Sequence, residues 1–373
     1  MKPLGVYIHW PYCQRVCPYC DFNVVRDRGR SQSAERLIEA LAADLAAQAQ
    51  LLGPRALVSI YFGGGTPSLM PPGAVGQLIE TARACWPETA DLEVTLEANP
   101  GDADRLPALA QAGVNRVSLG LQSLDDAELR FLGRNHDAAS ARRAAALAQR
   151  HFDRVSLDLI YALPGQSLAQ WTAMLTEVAA MGAEHISAYE LTIEPRTAFG
   201  RAARRGQLTA PGHDHAAEMF ETTAAVLSRA GYEAYEVSNH ARGSAARSRH
   251  NLVYWRGEDY LGVGPGAHGR LTIDGRRYAS EAPAAVADYV ARVKDQGVGV
   301  ALLPLPSREV ALERLIMGLR TIEGVALADL APLKITSVND LADFLSLREG
   351  RLTATARGRP VLDRVIAELA RAA

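Results

Sequence analysis

Short apolar, β-branched runs alternate with longer amphipathic stretches through the first two-thirds of the chain. The runs at 5–9, 56–62, 92–96, 116–119, 154–160 and 185–191 read as strands. The stretches at 33–52, 73–85, 102–111, 137–149 and 167–181 carry apolar residues at helical spacing. Strands alternating with helices imply a parallel sheet with right-handed crossovers. A further strand is expected at 232–237, and the glycine-bearing stretch 259–268 reads as a close-packed turn. From about residue 301 the pattern changes. Helices are expected at 308–319 and 338–347, then a short Leu352-Thr353-Ala354-Thr355 run and a last helix ending at Ala373. Helices with a short hairpin predict an α+β accessory domain with a winged-helix-like end. The expected division is 1–230, 231–300 and 301–373.

Unusual residues fall where the six strands end. Three cysteines follow the first, and Gly63-Gly64-Gly65-Thr66-Pro67 follows the second. Glu97-Ala98-Asn99-Pro100 and Gly120-Leu121-Gln122-Ser123 follow the third and fourth. Asp158 and Leu163-Pro164-Gly165 close the fifth, and Glu190-Leu191-Thr192 the sixth. The functional face of a parallel barrel is its C-terminal one. An open doubly wound sheet would gather its ligand groups at one switch point instead. Six consecutive contributions therefore predict a partial (β/α)6 barrel with one site at its mouth.

Cys13, Cys17 and Cys20 form a C-x3-C-x2-C loop. Iron–sulfur clusters take thiolate ligands, normally four, and here the loop offers three. One iron is then left open to bind and reduce a small molecule. A structural zinc would want a fourth Cys or His at paired spacing, and His9 has no such partner. A disulfide framework does not suit 373 residues holding four cysteines without a secretory signal. Cys85 sits in an apolar helical pattern and reads as core. The glycine run lets backbone approach a ligand closely. It is no Walker A loop, because no Gly-Lys-Ser/Thr follows. Glu97, Gln122, Arg134 and Asp158 stand on or just past strand ends, where they can take ribose hydroxyls, an ammonium or a carboxylate.

A second cluster lies downstream. Arg242, Arg247, Arg249 and Arg256 surround His250-Asn251-Leu252-Val253-Tyr254-Trp255. Guanidinium groups pair with carboxylates, and haem iron takes histidine. His250, Tyr254 and Arg249 are thus candidates for holding haem; the bland alternative is a loop that merely packs on the barrel. The net charge of −2 gives no electrostatic case for nucleic acid. No apolar run reaches the roughly 18 residues of a membrane span, and a cytoplasmic location is expected.

These strings resemble the HemN/HemW branch of the radical S-adenosylmethionine (SAM) proteins over essentially the whole chain. The resemblance rests on Tyr7-Ile8-His9-Trp10-Pro11, the cysteine loop, the glycine run and Leu132-Gly133-Arg134-Asn135-His136. It rests also on Asp158-Leu159-Ile160-Tyr161, Leu163-Pro164-Gly165-Gln166 and the His-Asn-x-x-Tyr-Trp string. It implies a [4Fe–4S] cluster on Cys13, Cys17 and Cys20, with SAM as the source of a 5′-deoxyadenosyl radical. It implies SAM contacts at Tyr7, Gly64, Gly65, Thr66, Glu97, Gln122, Arg134 and Asp158. Tyr19, Thr192 and Leu261 match further ligand-lining positions. One branch is the oxygen-independent coproporphyrinogen III dehydrogenase, whose motif continues to a fourth cysteine where this chain has Phe22. That branch also carries an N-terminal extension, whereas twelve residues precede Cys13 here. The other branch contains haem chaperones, and His-Asn-x-x-Tyr-Trp is its hallmark. The resemblance therefore implies haem or another tetrapyrrole as cargo. It also implies apo-haemoproteins, respiratory membrane-associated ones among them, as clients.

Overall fold

The computed structural model describes residues 1–27, 29, 31–335 and 339–371. Strands β1 (Pro3–Trp10), β2 (Ala56–Gly64), β3 (Glu88–Ala98), β4 (Arg116–Gln122), β5 (Arg154–Tyr161) and β6 (His185–Glu190) pair in sequence order. Every pairing among them is parallel. Crossovers run through α1 (Ser31–Leu52), α2 (Pro72–Cys85), α3 (Leu106–Gln111), α4 (Asp126–Phe131), α5 (Ala138–His151) and α6 (Leu168–Ala180). This is the partial (β/α)6 barrel that the alternation predicts. The inner strands are buried on both faces, which explains their nearly continuous apolar runs. In α1, Leu37, Leu41 and Leu45 recur every fourth residue and bury one face on the sheet. A reciprocal Ser167–Gln170 capping box starts α6.

Helices α7 (Ala198–Arg204) and α8 (His213–Arg229) lead to short strands β7 (Glu233–Ala234) and β8 (Asn239–Ala241). Strand β8 runs antiparallel to β6 and β7 lies outside it, so the strand expected at 232–237 is cut to two residues. The chain then forms α9 (Arg249–Trp255) and returns to the opposite edge. There β9 (Asp259–Val263) inserts parallel to β1, followed by the antiparallel β10 (His268–Ile273), β11 (Arg276–Glu281) and β12 (Ala301–Pro304), with α10 (Val286–Gln296) before β12. All twelve strands share one sheet.

The stretch 259–268 is thus mostly strand rather than turn. Its Gly262 explains the misreading, since a Cβ there would stand 2.2 Å from the His268 carbonyl oxygen. The glycine serves close strand approach, not a bend.

Beyond β12, α11 (Ser307–Leu319), α12 (Leu362–Arg371) and a small sheet enclose a second core around Leu315, Leu319, Leu352 and Val365. The sheet contains β13 (Val325–Ala326), β14 (Leu345–Arg348) and β15 (Arg351–Ala354). The helix expected at 338–347 is replaced by a 3-10 turn at Asn339–Leu341 and by β14. Residue 338 itself lies outside the described residues, as do 372–373 at the expected end of the last helix. The deciding feature is a two-residue turn in which Glu349 and Gly350 both have positive φ, which closes a hairpin. Leu345 inward and Leu347 outward then follow the period of a strand.

Candidate SAM and iron–sulfur site

The cysteine loop leaves β1 and folds back on the barrel mouth. Residues Tyr12–Cys13 pair with Val25–Arg26, and the Asp27 amide donates to the Cys13 carbonyl at 2.7 Å. The glycine run clamps this loop. Gly65 N donates to Trp10 O at 2.7 Å and Thr66 N to Tyr12 O at 2.9 Å. A Cβ on Gly64 would stand 2.6 Å from the His9 ring, and one on Gly65 2.7 Å from the Pro11 carbonyl. Much of the glycine requirement is therefore loop against loop, in addition to any ligand.

Cys13, Cys17 and Cys20 are free thiols that line one cavity of about 500 Å3 at the C-terminal ends of the strands. Tyr19, Gly64, Gly65, Thr66, Glu97, Gln122, Arg134, Asp158 and Thr192 line the same cavity. Two expected positions do not. Tyr7 faces a neighbouring cavity, and Leu261 is fully buried in β9 against β1.

Each polar group is held by its surroundings. The Tyr61 hydroxyl donates to Glu97 at 2.8 Å and the Gly64 amide at 3.2 Å. Burial, with the Asp158 charge adding to it, pushes the Glu97 carboxyl up to about 7. Ser118 and Ser156 hydroxyls donate to Asp158 at 2.7 and 3.0 Å, and burial raises that carboxyl as well. The Arg134 guanidinium lies 3.5 Å from Cys17 Sγ and also bonds Asn99 and the Gly120 carbonyl. Gln122 is aimed inward by an irregularity in the β4–β5 register and sits at φ 64°, a left-handed conformation uncommon for a side chain of this kind.

This arrangement fits a cluster. Among the described residues no three metal-binding side chains converge on one point, as a single metal ion would need. A cubane asks for something different, one thiolate per iron around a shared space. Burial raises Cys13, and raises Cys20 to about 11, so binding metal must displace protons from both.

The expected haem cluster does not form one surface. His250 is buried with both ring nitrogens engaged: Ser59 Oγ is 2.8 Å from Nδ1 and the Tyr254 hydroxyl 2.6 Å from Nε2. Burial pulls its pKa down to about 3, so it is neutral. The buried Glu93 carboxylate receives the Arg249 and His250 amides at 3.0 Å each and pins the start of α9. Burial alone would raise Glu93, but Arg116 and Arg154 outweigh it and hold it low. Arg249 reaches away to Asp91, Arg247 to Glu233, Arg256 to Glu323, and Arg242 covers the Tyr232 ring. Sequence proximity placed these groups together; the short helix and the chain on either side of it carry them to different sides. Tyr254 and Trp255 do face a cavity, of about 470 Å3, beside the cysteine cavity. Gly64, Glu97 and Phe22 line both cavities, and Phe22 is 63% exposed.

Several participants had no clear sequence signal. Tyr61 and the Ser118–Ser156 pair act by holding Glu97 and Asp158, and hydroxyls inside strands look like ordinary strand residues. The α11 residues on the second cavity, Glu313, Arg314 and Met317, look like one side of any amphipathic helix.

The radical SAM superfamily signature matches residues 7–178. A mitochondrial radical S-adenosyl methionine domain-containing protein 1 from Bos taurus is 43% identical over 86% of this chain and 74% of its own length. The heme chaperone HemW of Mycobacterium tuberculosis is 36% identical over 99% of this chain and 95% of its own length. The solved structure of Escherichia coli coproporphyrinogen III oxidase HemN superposes with a TM-score of 0.80 over 99% of this chain and 90% of that one. Its identity of 21% makes this a likeness of fold. The chain belongs to the radical SAM superfamily, in the group that carries the name heme chaperone HemW.

Proposed function

We propose that the protein binds haem and hands it to apo-haemoproteins, with a [4Fe–4S] cluster on Cys13, Cys17 and Cys20 and SAM in the adjoining cavity. The observation that carries this reading is the pair of cavities meeting at Gly64, Glu97 and Phe22. The first suits the polar SAM; the second is walled mainly by aromatic and aliphatic groups, with Arg270, Arg277 and Arg314 beside the carboxylates Glu97 and Glu313, which suits a flat ring whose carboxylates meet the arginines. The name of the relative that matches nearly end to end supports the same cargo.

In the first cavity Glu97 accepts the ammonium of SAM once its carboxyl is ionised. Asp158 and Gln122 take hydroxyl and amino groups, and Thr66 and Thr192 line the walls. Arg134 places a positive charge 3.5 Å from Cys17 Sγ, where it can offset the negative charge of a thiolate-bound cluster. The cluster, when bound, supplies an open iron and an electron.

The rival is the dehydrogenase, which decarboxylates coproporphyrinogen III oxidatively. Phe22 favours the chaperone: the position is a bulky apolar side chain between the cavities, not a fourth thiol. Reconstituted protein given coproporphyrinogen III, SAM and reductant is expected to form no protoporphyrinogen IX above background. Robust product would overturn the chaperone reading. No helix among the described residues is long and apolar enough to cross a membrane.

A further inference from the structure

From the second cavity we infer that haem is held between the β9–β10 edge and α11, with His268 as the iron ligand and Arg314 as a propionate clamp. This rests on the haem-binding reading above and moves the ligand from His250 to a different element.

Two histidines line that cavity, His9 and His268. His9 is committed, because the Tyr7 hydroxyl donates to its Nδ1 at 3.0 Å and its Nε2–H donates to the Asn23 carbonyl at 2.8 Å. His268, the first residue of β10, is solvent-exposed and its ring makes no hydrogen bond among the described residues. Met317 of α11, whose thioether can also bind iron, lines the same cavity.

The charges divide in the same way. Arg270 is paired with Glu313 at 2.7 Å, and Arg277 with the buried Asp259. Arg314 makes no ion pair at contact distance among the described residues, although its charge acts on the Glu258 carboxyl; its Nη1 donates to the Arg256 carbonyl, and its guanidinium lies over Gly257. That leaves its other donors for a ligand carboxylate. Tyr254 and Tyr260 pack edge to face at 4.5 Å on the same wall, and the Trp255 indole N–H there has no partner. A volume of about 470 Å3 lies within the roughly 300–1,000 Å3 of small-ligand sites. One uncommitted imidazole, one uncommitted guanidinium and flat aromatic walls meet in no other cavity described.

The test is titration of the purified full chain with ferric haem, followed in the Soret region, for wild type, His268→Ala, His250→Gln and Arg314→Gln. His268→Ala is expected to shift the Soret band and weaken binding about tenfold or more, while His250→Gln keeps the wild-type band. Arg314→Gln should lower affinity by about tenfold for haem, keep the band position, and leave haem dimethyl ester binding unchanged. An unchanged band in His268→Ala, with the shift in His250→Gln instead, would overturn the ligand assignment but keep haem binding. An equal loss of haem and its dimethyl ester in Arg314→Gln would overturn the clamp. A wild-type chain that binds no haem would sink the proposed function itself.

Discussion

The two cavities share a wall and are built on opposite principles. In the cysteine cavity the three main charged groups are already held by the fold. Glu97 is held by Tyr61 and Gly64, Asp158 by two serines, and Arg134 by Asn99 and Gly120. Such groups are preorganised, and a ligand meets them without reordering side chains. In the second cavity His268 makes no hydrogen bond among the described residues, Arg314 is held by one backbone carbonyl alone, and one wall comes from a helix with its own hydrophobic core. The contrast suits a resident cofactor in the first and a cargo that must leave in the second.

The comparison is broken most severely at the cluster. Cys17→Ala should lose most of the iron that anaerobic reconstitution loads, about four per chain in wild type, and Cys85→Ala should lose none. Iron analysis with EPR checks this, and equal loss in both would refute the ligand set. Truncation in the second core separates the cavities. Leu315 is fully buried under α11, so Leu315→Ala should cost about 2–5 kcal/mol of local stability. Haem affinity should fall with it while iron content stays at the wild-type level; a parallel fall in iron would show that the two regions are one cooperative unit.

Glu97 sharpens the picture because it lines both cavities. Glu97→Ala should weaken SAM binding about tenfold or more, read by calorimetry. In the ligand-free protein burial pushes its carboxyl up to about 7, and only the ionised form accepts an ammonium. Affinity for SAM should therefore decline as pH falls below about 7, and Glu97→Gln should flatten that acid limb; above about 8 the loss of the ligand's own α-ammonium lowers affinity separately. A wild-type slope retained in Glu97→Gln would assign the titration to another group. The smallest effect is expected at Ser59→Ala, which removes the hydroxyl beside His250 Nδ1. A stability loss of about 1 kcal/mol with an unchanged Soret band would fit His250 as a pin between β2 and α9.

The first cavity was largely legible from sequence and the second was not. In the barrel every strand delivers its end to one face, so Cys13, Glu97, Gln122 and Asp158 could be assembled from order alone. No comparable rule joins β10 to α11, since their meeting depends on how β9 inserts beside β1. The arginine-rich segment misled for a related reason. Adjacent residues on a seven-residue helix point in different directions, and Glu93 turns the backbone of Arg249 and His250 into the barrel floor. Gly262 and the Glu349–Gly350 turn show the same limit, because backbone needs set by a neighbouring strand leave only a faint local mark.

The most direct test of the two-cavity account is ferric haem titration of the cluster-free Cys17→Ala protein. The account predicts one haem per chain, the wild-type Soret position and an affinity within about threefold of wild type, because the imidazole and the clamp belong to the other cavity. Loss of haem binding together with the cluster would contradict it and place the cargo on the cysteines.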